Sequence, residues 1–466
     1  MCGITGVSCK NCRRYRAQAF PLLLRTGEHT DHRGGQGHGF GVMNDDGKII
    51  CHRQPGNFGE GINEETIDEM TNTYVGHLGL THSLYATTTF DGNKKQVRRY
   101  QPAVASFHGG EFGLSFNGNV YDLSELRVKA EDRGWKFESK ISDTEAIIAA
   151  ISTSPKTDFV EALKEVLPQL KGGFSLVMMH DGKIIAARDS FGIRPLCVGH
   201  SDEATVVSSE SCAFYPIGAR FIRDIRPGEI TVIGDQIERY IQWSESPGHR
   251  FCIFELIYFG RPDSRLCSGK SGWHYRNRAG TLLAKEAPVN ADLIIPVPDG
   301  GNLFAEAYAS ALGIPISQGL FRNRRGVRTF LTPRGTDRRA LQRIKLHPLS
   351  EVIWGKRVCL VEDSLVRLKV LPETILMVFE AGAKEVHVRI GSAPVTSQCF
   401  YGIDMATKGE LAAANFALEQ IRQHAGADSL KYLSFEGMIV ATGLPKNMLC
   451  TACFDGDYPV APPIEV

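Results

Sequence analysis

The sequence contains no apolar run close to the ~20 residues that a membrane-spanning helix needs, so no membrane partner is expected. Its N-terminal segment lacks the hydrophobic region of a secretory signal peptide, which favours a cytoplasmic protein. Lys and Arg total 53 and Asp and Glu total 52, and no basic stripe is long enough to predict a nucleic-acid partner. Internal repeats and low-complexity tracts are also absent, which excludes repeat architectures.

Cysteine, in contrast, is plentiful, with 12 residues in a chain of 466. A chain this long holds two or more domains with hydrophobic cores of their own, so it does not need a disulfide framework. The cysteines therefore indicate reduced thiols, a metal site or catalysis.

Cys2 is the most informative of them, because removing Met1 would leave a thiol and a free α-amine on one residue. An α-amine has a pKa near ~7.7–8.0 and can accept the thiol proton without a separate histidine. Gly3, Ile4 and Val7 are typical of a buried strand that would hold this terminus in place. The alternative is an ordinary cysteine that happens to stand second.

The chain changes its pattern near residues 244–248, a polar, turn-forming segment. Before it, short β-rich segments alternate with helical stretches, which predicts helices packed on antiparallel sheets. After it, apolar strands at 293–299 and 357–363 end in loops and alternate with helices at 303–312 and 373–381. This pattern predicts a parallel α/β sheet with ligands at the carboxyl ends of its strands.

Several motifs before residue 244 resemble those of class II glutamine amidotransferases. They are Met1-Cys2-Gly3-Ile4, His32-Arg33-Gly34, Asn117-Gly118-Asn119, Ser142-Asp143-Thr144-Glu145, Arg188-Asp189-Ser190-Phe191-Gly192-Ile193-Arg194-Pro195-Leu196 and Ser209-Glu210-Ser211. Motifs in the second half resemble glutamine phosphoribosylpyrophosphate amidotransferases, also called amidophosphoribosyltransferases. These are Cys252-Ile253-Phe254-Glu255, Tyr258-Phe259-Gly260-Arg261-Pro262-Asp263-Ser264, Pro296-Val297-Pro298-Asp299 and Cys399-Phe400-Tyr401-Gly402-Ile403-Asp404. The resemblance spans nearly the whole chain.

This resemblance implies two domains. Residues 1–243 would form an N-terminal-nucleophile αββα sandwich, the glutamine amidotransferase-like domain. Residues 250–466 would form an α/β phosphoribosyltransferase-like domain with a parallel sheet and a C-terminal cluster-binding tail. In the family the first domain feeds ammonia to the second, which makes phosphoribosylamine for purine synthesis, and we expect a homodimer or homotetramer.

The resemblance also assigns roles in the first site. The Cys2 thiolate would attack an amide, and the Asn117 side chain and the Gly118 N–H would stabilise the oxyanion, each such donor being worth ~2.7–4 kcal/mol of barrier. Arg33 matches the arginine beside the nucleophile, and Asp143 matches the carboxylate that receives the substrate ammonium. An Asn-Gly pair also favours a hairpin turn, which is the structural alternative.

One expected residue of that site is missing. The family segment His-Val-Arg-Tyr-Ser-Thr corresponds here to residues 82–87, with Leu84 in place of the arginine that binds the glutamine α-carboxylate and with Thr87 kept as a substrate-binding residue. Losing that guanidinium removes an interaction of roughly 1.5–3 kcal/mol. Three explanations remain: a changed donor, an inactive site, or a replacement cation. Candidates for that cation are Lys94, Lys95, Arg98 and Arg99. We expect a changed donor, because the nucleophile and oxyanion residues persist.

The second site departs further from the family. Glu362 and Asp363 match the acidic pair that binds the ribose hydroxyls, and Asp299 lies in the diphosphate loop. The turn after them, which reads Asp-Asp-Ser-Ile-Val-Arg-Gly-Thr-Thr-Ser in the family, corresponds to residues 362–371 and has lost every small or hydroxyl residue of its phosphate cradle. Lys369 alone does not rebuild a cradle of backbone N–H groups. We therefore expect a degenerate phosphoribosyl site, with Mg²⁺ only if phosphoribosyl diphosphate binds.

Two further features of this site bear on that expectation. Bulky side chains stand where the backbone should approach phosphate, namely Leu368, Val370 and Leu371. Pro372, which follows them, has no backbone N–H to donate. Residues 322–330 still resemble the mobile loop that closes over the site. The alternative is that the altered turn binds phosphate in another way.

Four cysteines resemble the ligands of a 4Fe–4S cluster found in one branch of the family: Cys252, Cys399, Cys450 and Cys453. Four thiolates are the usual ligand set of such a cluster. We expect a structural clamp between the C-terminal tail and the core of the protein.

Together these features predict an enzyme, a divergent class II amidotransferase that uses Cys2 for amide or acyl transfer or hydrolysis through a thioester. Its substrates would be a small-molecule amide or acyl donor and an unknown acceptor. Activity dependent on phosphoribosyl diphosphate would be lost, as in an enzyme of specialised metabolism. The alternatives are a genuine amidophosphoribosyltransferase and a non-catalytic iron–sulfur scaffold or binding protein.

Overall fold

The computed structural model describes residues 1–12, 15–16, 18–85, 100–137, 142–323, 343, 345–405 and 407–462. Cys2 leads into the strand Gly3–Cys9, which lies in the middle of a seven-stranded antiparallel sheet. In spatial order the strands of this sheet are Arg220–Asp224, Cys197–His200, Ala204–Ser208, Gly3–Cys9, Leu78–Leu84, Gly37–Met43 and Ile49–Pro55.

A second, six-stranded antiparallel sheet packs face to face on the first. Its strands in spatial order are Ile237–Gln242, Glu229–Ile233, Lys183–Arg188, Lys171–His180, Gly110–Asp122 and Ala103–Phe107. Ile4, Leu80, Val177 and Ile184 belong to the apolar core between the two sheets.

The strand Gly3–Cys9 is buried along its whole length. Because side chains alternate along a strand, Ile4 and Val7 point to opposite faces. Ile4 joins the core between the sheets, while Val7 packs with Phe20 of the helix Ala19–Thr30. The strand is therefore covered on both faces, and its two buried hydroxyls have partners: Thr5 Oγ1 lies 3.0 Å from Ser208 Oγ, and Ser8 Oγ donates to the Gly234 carbonyl oxygen at 2.5 Å.

Helices cover the outer face of the second sheet as well. The helices Asp143–Ser152 and Phe159–Val166 contribute Ile147, Ile151 and Leu163 to the core against that sheet. The layers are therefore helix, sheet, sheet and helix, which confirms the predicted αββα sandwich.

Four parallel strands form the sheet of the second half. They are Leu293–Pro296, Arg357–Glu362, Glu385–Ile390 and Ser429–Tyr432. One face packs against the helices Gly272–Glu286 and Asn302–Leu312 and the other against Leu371–Glu380 and Leu418–Ala425. The predicted parallel α/β sheet is confirmed.

The remaining helices and paired strands are short connections. The helices are Glu64–Thr73, Ser124–Asp132, Ser350–Ile353, Ala412–Asn415, Phe435–Thr442 and Ala452–Asp455. The strand pairs are Asn11–Cys12 with Tyr15–Arg16, Leu320–Arg322 with Leu346–Pro348, and Phe251–Cys252 with Leu449–Cys450. Within the described ranges, no helix is long and apolar enough to cross a membrane.

The last strand of the sandwich ends at Gln242 and the next strand begins at Phe251. The two halves make direct contact beyond this connection. Asn119 Nδ2 donates to the Phe400 carbonyl oxygen at 2.9 Å, and Gly402 lies against the Gly118 backbone. The domain limits at residues 243 and 250 stay a prediction.

Candidate active sites

Cys2 is half-buried at the start of the central strand. It contacts two residues that are far from it in sequence, Tyr85 and Asn117. Its N–H donates to Asn117 Oδ1 at 3.1 Å, and its Sγ lies 3.7 Å from the Tyr85 carbonyl oxygen. Burial raises the pKa of the Cys2 thiol, and the neighbouring α-amine opposes that rise. The thiol therefore needs a base to become a nucleophile.

The α-amine beside this thiol can act as that base. Met1 is buried, and burial lowers the pKa of its amine to about 5. An amine in this environment is uncharged at neutral pH. We expect the amine of Cys2, exposed by removal of Met1, to share that environment and to accept the thiol proton.

Asn117 and Gly118 lie within the long strand Gly110–Asp122, not in a hairpin turn. Asn117 Oδ1 is held by Cys2, while Asn117 Nδ2 is buried and has no hydrogen-bond partner among the described residues. A Cβ at Gly118 would lie 2.2 Å from the Gly173 carbonyl oxygen. The sheet thus requires glycine here and leaves one amide donor free beside the thiol, as an oxyanion hole requires.

Arg33 is fully buried in the short 3₁₀ turn Asp31–Arg33 and holds the nucleophile from behind. Its Nε donates to the Cys2 carbonyl oxygen at 3.0 Å. Glu255 accepts from both Nη atoms at 2.9 Å, and Glu210 also accepts from Nη1. Burial alone would lower the pKa of Arg33, but the two carboxylates raise it, so the side chain stays charged.

Glu210, Glu255 and His82 are site residues for which the motifs predicted no role. Burial tends to raise the pKa of Glu210, but His32 and Arg33 bring it far below its usual range. His82 Nε2 lies 3.2 Å from the Phe116 carbonyl oxygen, and burial lowers the pKa of His82 to about 3. A neutral His82 therefore donates to the residue before Asn117. Both glutamates stand in recognisable motifs, but motifs do not reveal which distant arginine a carboxylate pairs with.

Asp143 is the first residue of the helix Asp143–Ser152, whose N-cap Ser142 accepts from the Glu145 N–H at 3.1 Å. Its carboxylate is among the charges that raise the pKa of the Cys2 thiol, which places it beside the nucleophile. Burial raises the pKa of Asp143 to about 6. The structure thus brings Asp143 together with Cys2, Asn117, Gly118 and Arg33.

Leu84 ends the strand Leu78–Leu84 and is half-buried. Its carbonyl oxygen accepts from the Gln36 N–H at 3.2 Å, and its backbone passes so close to Gly34 that a Cβ there would lie 2.4 Å away. Residues 86–99, which include Thr87 and the four candidate cations, lie outside the described residues.

The predicted phosphoribosyl residues meet at the carboxyl edge of the parallel sheet. Glu362 ends one strand and Asp363 follows it, while Asp299 follows the neighbouring strand. A Cβ at Gly300 would lie 1.7 Å from Asp363 Oδ2, so the two loops are in close contact. Burial, together with the neighbouring Asp363, raises the pKa of Glu362 well above its usual value, and burial raises the pKa of Asp363.

The altered turn is held by apolar contacts, and its two charged side chains pair with one carboxylate. Leu368 and the buried Leu371 pack on the core of the parallel sheet. Arg367 and Lys369 both donate to Glu410, at 3.0 and 2.7 Å. The turn lacks a cradle of small residues, and its two cations are both held by Glu410.

A cavity of about 150 Å³ lies between the two sites. Tyr85, whose carbonyl oxygen contacts Cys2 Sγ, lines it together with Tyr258, Ser364, Arg367 and Asp404. Arg367 pairs with Asp404 at 3.3 Å within this lining. The cavity therefore borders both Tyr85, next to Cys2, and the turn that follows the acidic pair.

The four clustered cysteines come from three separate segments. Cys252 and Cys450 are paired in register on adjacent parallel strands, and the Cys453 carbonyl oxygen accepts from the N–H of Thr396 at 3.0 Å. Cys399 is the fourth, and its charge acts on the other three thiols. Burial raises the pKa of Cys252, and raises those of Cys450 and Cys453 further.

The residues around these thiols fit an anionic metal cluster. Arg194 is fully buried, and the charges of Cys252, Cys399 and Cys450 act on its guanidinium. Its Nε and Nη2 have no hydrogen-bond partner in the described part of the chain. Within those same ranges, no three His, Cys, Asp or Glu residues converge on a single metal ion. The fit to a cluster therefore rests on the four thiols and on the buried charge of Arg194.

Comparison with known proteins gives matches along the whole chain. The family model described as a glutamine amidotransferase domain matches residues 93–216. Amidophosphoribosyltransferase of Methanocaldococcus jannaschii is 38% identical over 477 residues, covering 98% of each chain. That of Methanothermobacter thermautotrophicus is 35% identical over 467 residues, covering 100% of this chain and 96% of the relative. Glutamine phosphoribosylpyrophosphate amidotransferase from B. subtilis, solved with ADP and GMP, has a TM-score of 0.87 at 35% identity, covering 98% of this chain and 97% of that one.

These similarities overturn the predicted function. The expectation of a changed donor and of lost phosphoribosyl diphosphate-dependent activity is wrong, because relatives matched over nearly their full length are amidophosphoribosyltransferases. How the altered turn holds phosphate stays a prediction. Arg367 and Lys369 supply positive charge at the same turn. The chain belongs to the amidophosphoribosyltransferase family.

Proposed function

We propose that this chain is an amidophosphoribosyltransferase that moves the amide nitrogen of glutamine to phosphoribosyl diphosphate, giving phosphoribosylamine, glutamate and diphosphate. The observation that carries the proposal is the pairing of Cys2 with Asn117 in a chain similar to such enzymes over 98% of its length. The nucleophile, the oxyanion donor and the second domain are all present.

In the first site, the Cys2 thiol gives its proton to the α-amine and attacks the glutamine amide carbon. Asn117 Nδ2 and the Gly118 N–H donate to the oxyanion that forms. The amine returns the proton to the leaving nitrogen, and ammonia departs as the thioester forms. Water then cleaves the thioester, releasing glutamate and restoring the thiol.

In the second site, ammonia replaces diphosphate at C1 of the ribose. Glu362 and Asp363 bind the ribose hydroxyls, and their carboxylate oxygens suit the Mg²⁺ that accompanies the diphosphate. Arg367 and Lys369 release Glu410 and donate to the 5-phosphate, replacing a backbone cradle by two charged side chains. We propose that ammonia passes from the first site to the second through the cavity between them.

We also propose that Cys252, Cys399, Cys450 and Cys453 hold a 4Fe–4S cluster. Such a cluster would supply a covalent cross-link between three chain segments and take no part in the transfer. The unpartnered nitrogens of Arg194 support an anion at this place. Anaerobically purified protein should contain about four iron atoms per chain, and Cys453→Ser should lose them.

Diphosphate release tests the proposed activity. Purified protein with glutamine and phosphoribosyl diphosphate should release diphosphate and glutamate in equal amounts. Cys2→Ala should abolish the reaction with glutamine but keep the reaction with ammonium chloride, because only the first site needs the thiol. Absence of diphosphate release with either nitrogen source would refute the proposal.

A further inference from the structure

Arg194 is a buried cation with unused hydrogen-bonding capacity. Its side chain is completely buried, and its Nη1 lies 3.5 Å from Glu255 Oε1 and contacts Met1 Sδ. Its Nε and Nη2 find no partner among the residues that the structure describes. Because unpaired buried donors on a charged group are costly, they indicate an anion on that side.

The four-cysteine site is close to this guanidinium, because the charges of Cys252, Cys399 and Cys450 act on it. The Cys252 N–H donates to the carbonyl oxygen of Ile193 at 3.2 Å, which sets Cys252 beside Arg194. Cys450 is the register partner of Cys252. Thiolate ligands would give a bound cluster net negative charge close to the free nitrogens of Arg194.

Arg194 is also linked, through Glu255, to the residues that hold Cys2. Glu255 begins the π-helical turn Glu255–Phe259 and accepts from both Nη atoms of Arg33 at 2.9 Å. Arg33 Nε donates to the Cys2 carbonyl oxygen at 3.0 Å. The side chains of Arg194, Glu255 and Arg33 are all fully buried, so their charges are little screened by solvent.

We propose that Arg194 is a positioning residue shared by the two sites, its guanidinium facing the anion held by the four cysteines and, through Glu255, fixing Arg33 against Cys2. The cluster half of this proposal rests on the proposed cofactor, whereas the Cys2 half does not. A change of charge at residue 194 or 255 therefore alters both the reactivity of the Cys2 thiol and the reduction potential of the cluster.

The groups that face the Cys2 thiol set the sign of the first effect. They are the α-amine, Asp143 and Arg33. Arg194→Gln removes a positive charge from the buried network, so the Cys2 thiolate becomes less stable and alkylation slows by about threefold, the effect of half a pKa unit. Glu255→Gln removes a negative charge and speeds alkylation by a similar factor.

Two measurements on the full-length, anaerobically reconstituted protein test this inference. The rate of Cys2 alkylation by iodoacetamide at pH 7.5 is followed by peptide mass spectrometry, and the cluster potential by spectroelectrochemistry. Arg194→Gln should slow alkylation and make the potential more negative, and Glu255→Gln should do the opposite for both. Arg194→Lys, which keeps the charge, should restore both values to within about twofold of the parent rate and near the parent potential.

Arg389→Gln is the matched control. Arg389 is also buried, but it donates to the carbonyl oxygens of Ala287, Val388 and Pro288 and to Ser429 Oγ, away from both sites, so neither value should move. Shifts of the same sign in both charge variants, or no shift in either, would overturn the inference. If Arg194→Gln does not fold, the comparison of Glu255→Gln with Arg194→Lys in the same two measurements tests the inference. If no iron binds, the cofactor proposal fails, and alkylation of iron-free protein still tests the Cys2 half.

Discussion

The backbone N–H of Cys2 donates to the side-chain oxygen of Asn117 at 3.1 Å. This hydrogen bond fixes the orientation of the Asn117 amide, because its oxygen is occupied and its Nδ2 must point elsewhere. In the described structure that Nδ2 has no partner. One contact thus aligns the nucleophile and leaves the oxyanion donor free for substrate.

Asn117→Ala should lower kcat for glutamine hydrolysis by about 10²–10³, since one preorganised oxyanion donor is lost. The KM for glutamine should change little, because the oxyanion exists only in the transition state. Steady-state glutamate release measures both constants.

The ammonia-dependent reaction of the same variant is its internal control and should keep the parent rate. Asn44→Ala removes a surface asparagine that only accepts from the N–H groups of Asp46 and Lys48 and should match the parent in both reactions. Equal loss of the glutamine and ammonia reactions in Asn117→Ala would contradict the assigned role.

The KM for glutamine should rise steeply in acid. Burial raises the pKa of Asp143 to about 6, so its carboxylate becomes protonated as pH falls through that value and can no longer pair with the substrate ammonium. Below pH 6 the KM should rise by about tenfold per pH unit. Initial rates between pH 7.5 and pH 5 measure this dependence.

Asp143→Asn should show a high KM at every pH and no rise in acid. A KM that stays constant down to pH 5 in the parent protein would show that Asp143 does not bind the ammonium.

Lys369→Gln should raise the KM for phosphoribosyl diphosphate at least about tenfold, the effect of losing one charge-assisted contact. Glu410→Gln should lower that KM, because it frees Arg367 and Lys369 from their common carboxylate. Ammonia-dependent diphosphate release measures both effects without involving the first site.

Lys171→Gln, which breaks the exposed pair between Lys171 and Asp122, is a matched charge control and should have no effect. If Lys369→Gln and Glu410→Gln change the KM in the same direction, the turn does not hold phosphate through its cations.

Gly300→Ala should reduce phosphoribosyl transfer by about 10²-fold, because a methyl group there would lie 1.7 Å from Asp363 Oδ2 and displace the acidic pair. Glutamine hydrolysis should persist. Gly409→Ala is the control, since a Cβ at Gly409 meets nothing within 4 Å. Transfer at the parent rate in Gly300→Ala would show that the two loops need not touch.

That Cys2, Asn117 and Gly118 belong to one site could be predicted from sequence, because each lies in a short contiguous motif, while their catalytic roles stay a prediction. The ion pairs behind them could not. Arg33 meets Glu210 and Glu255 across 177 and 222 residues, and only the packing of three segments brings them together. The αββα sandwich followed from local alternation and from the resemblance, whereas the interdomain contact of Gly118 with Gly402 depends on how two finished domains fit.

The wrong functional prediction has a physical cause of the same kind. The sequence shows that residues 368–371 have lost their small side chains, but it does not show which groups replace a lost interaction. In the structure, Leu368 anchors the turn in the core while Lys369 and Arg367 face Glu410. The similarity along the whole chain therefore shows the family, while the way this turn holds phosphate stays a prediction.

Transfer of the amide nitrogen of glutamine is the central claim, and glutamine labelled with ¹⁵N at the amide tests it most directly. With phosphoribosyl diphosphate present, NMR should show the label bonded to C1 of the ribose phosphate, with one diphosphate released per glutamate. Recovery of all the label as ammonium, with phosphoribosyl diphosphate intact, would contradict the account.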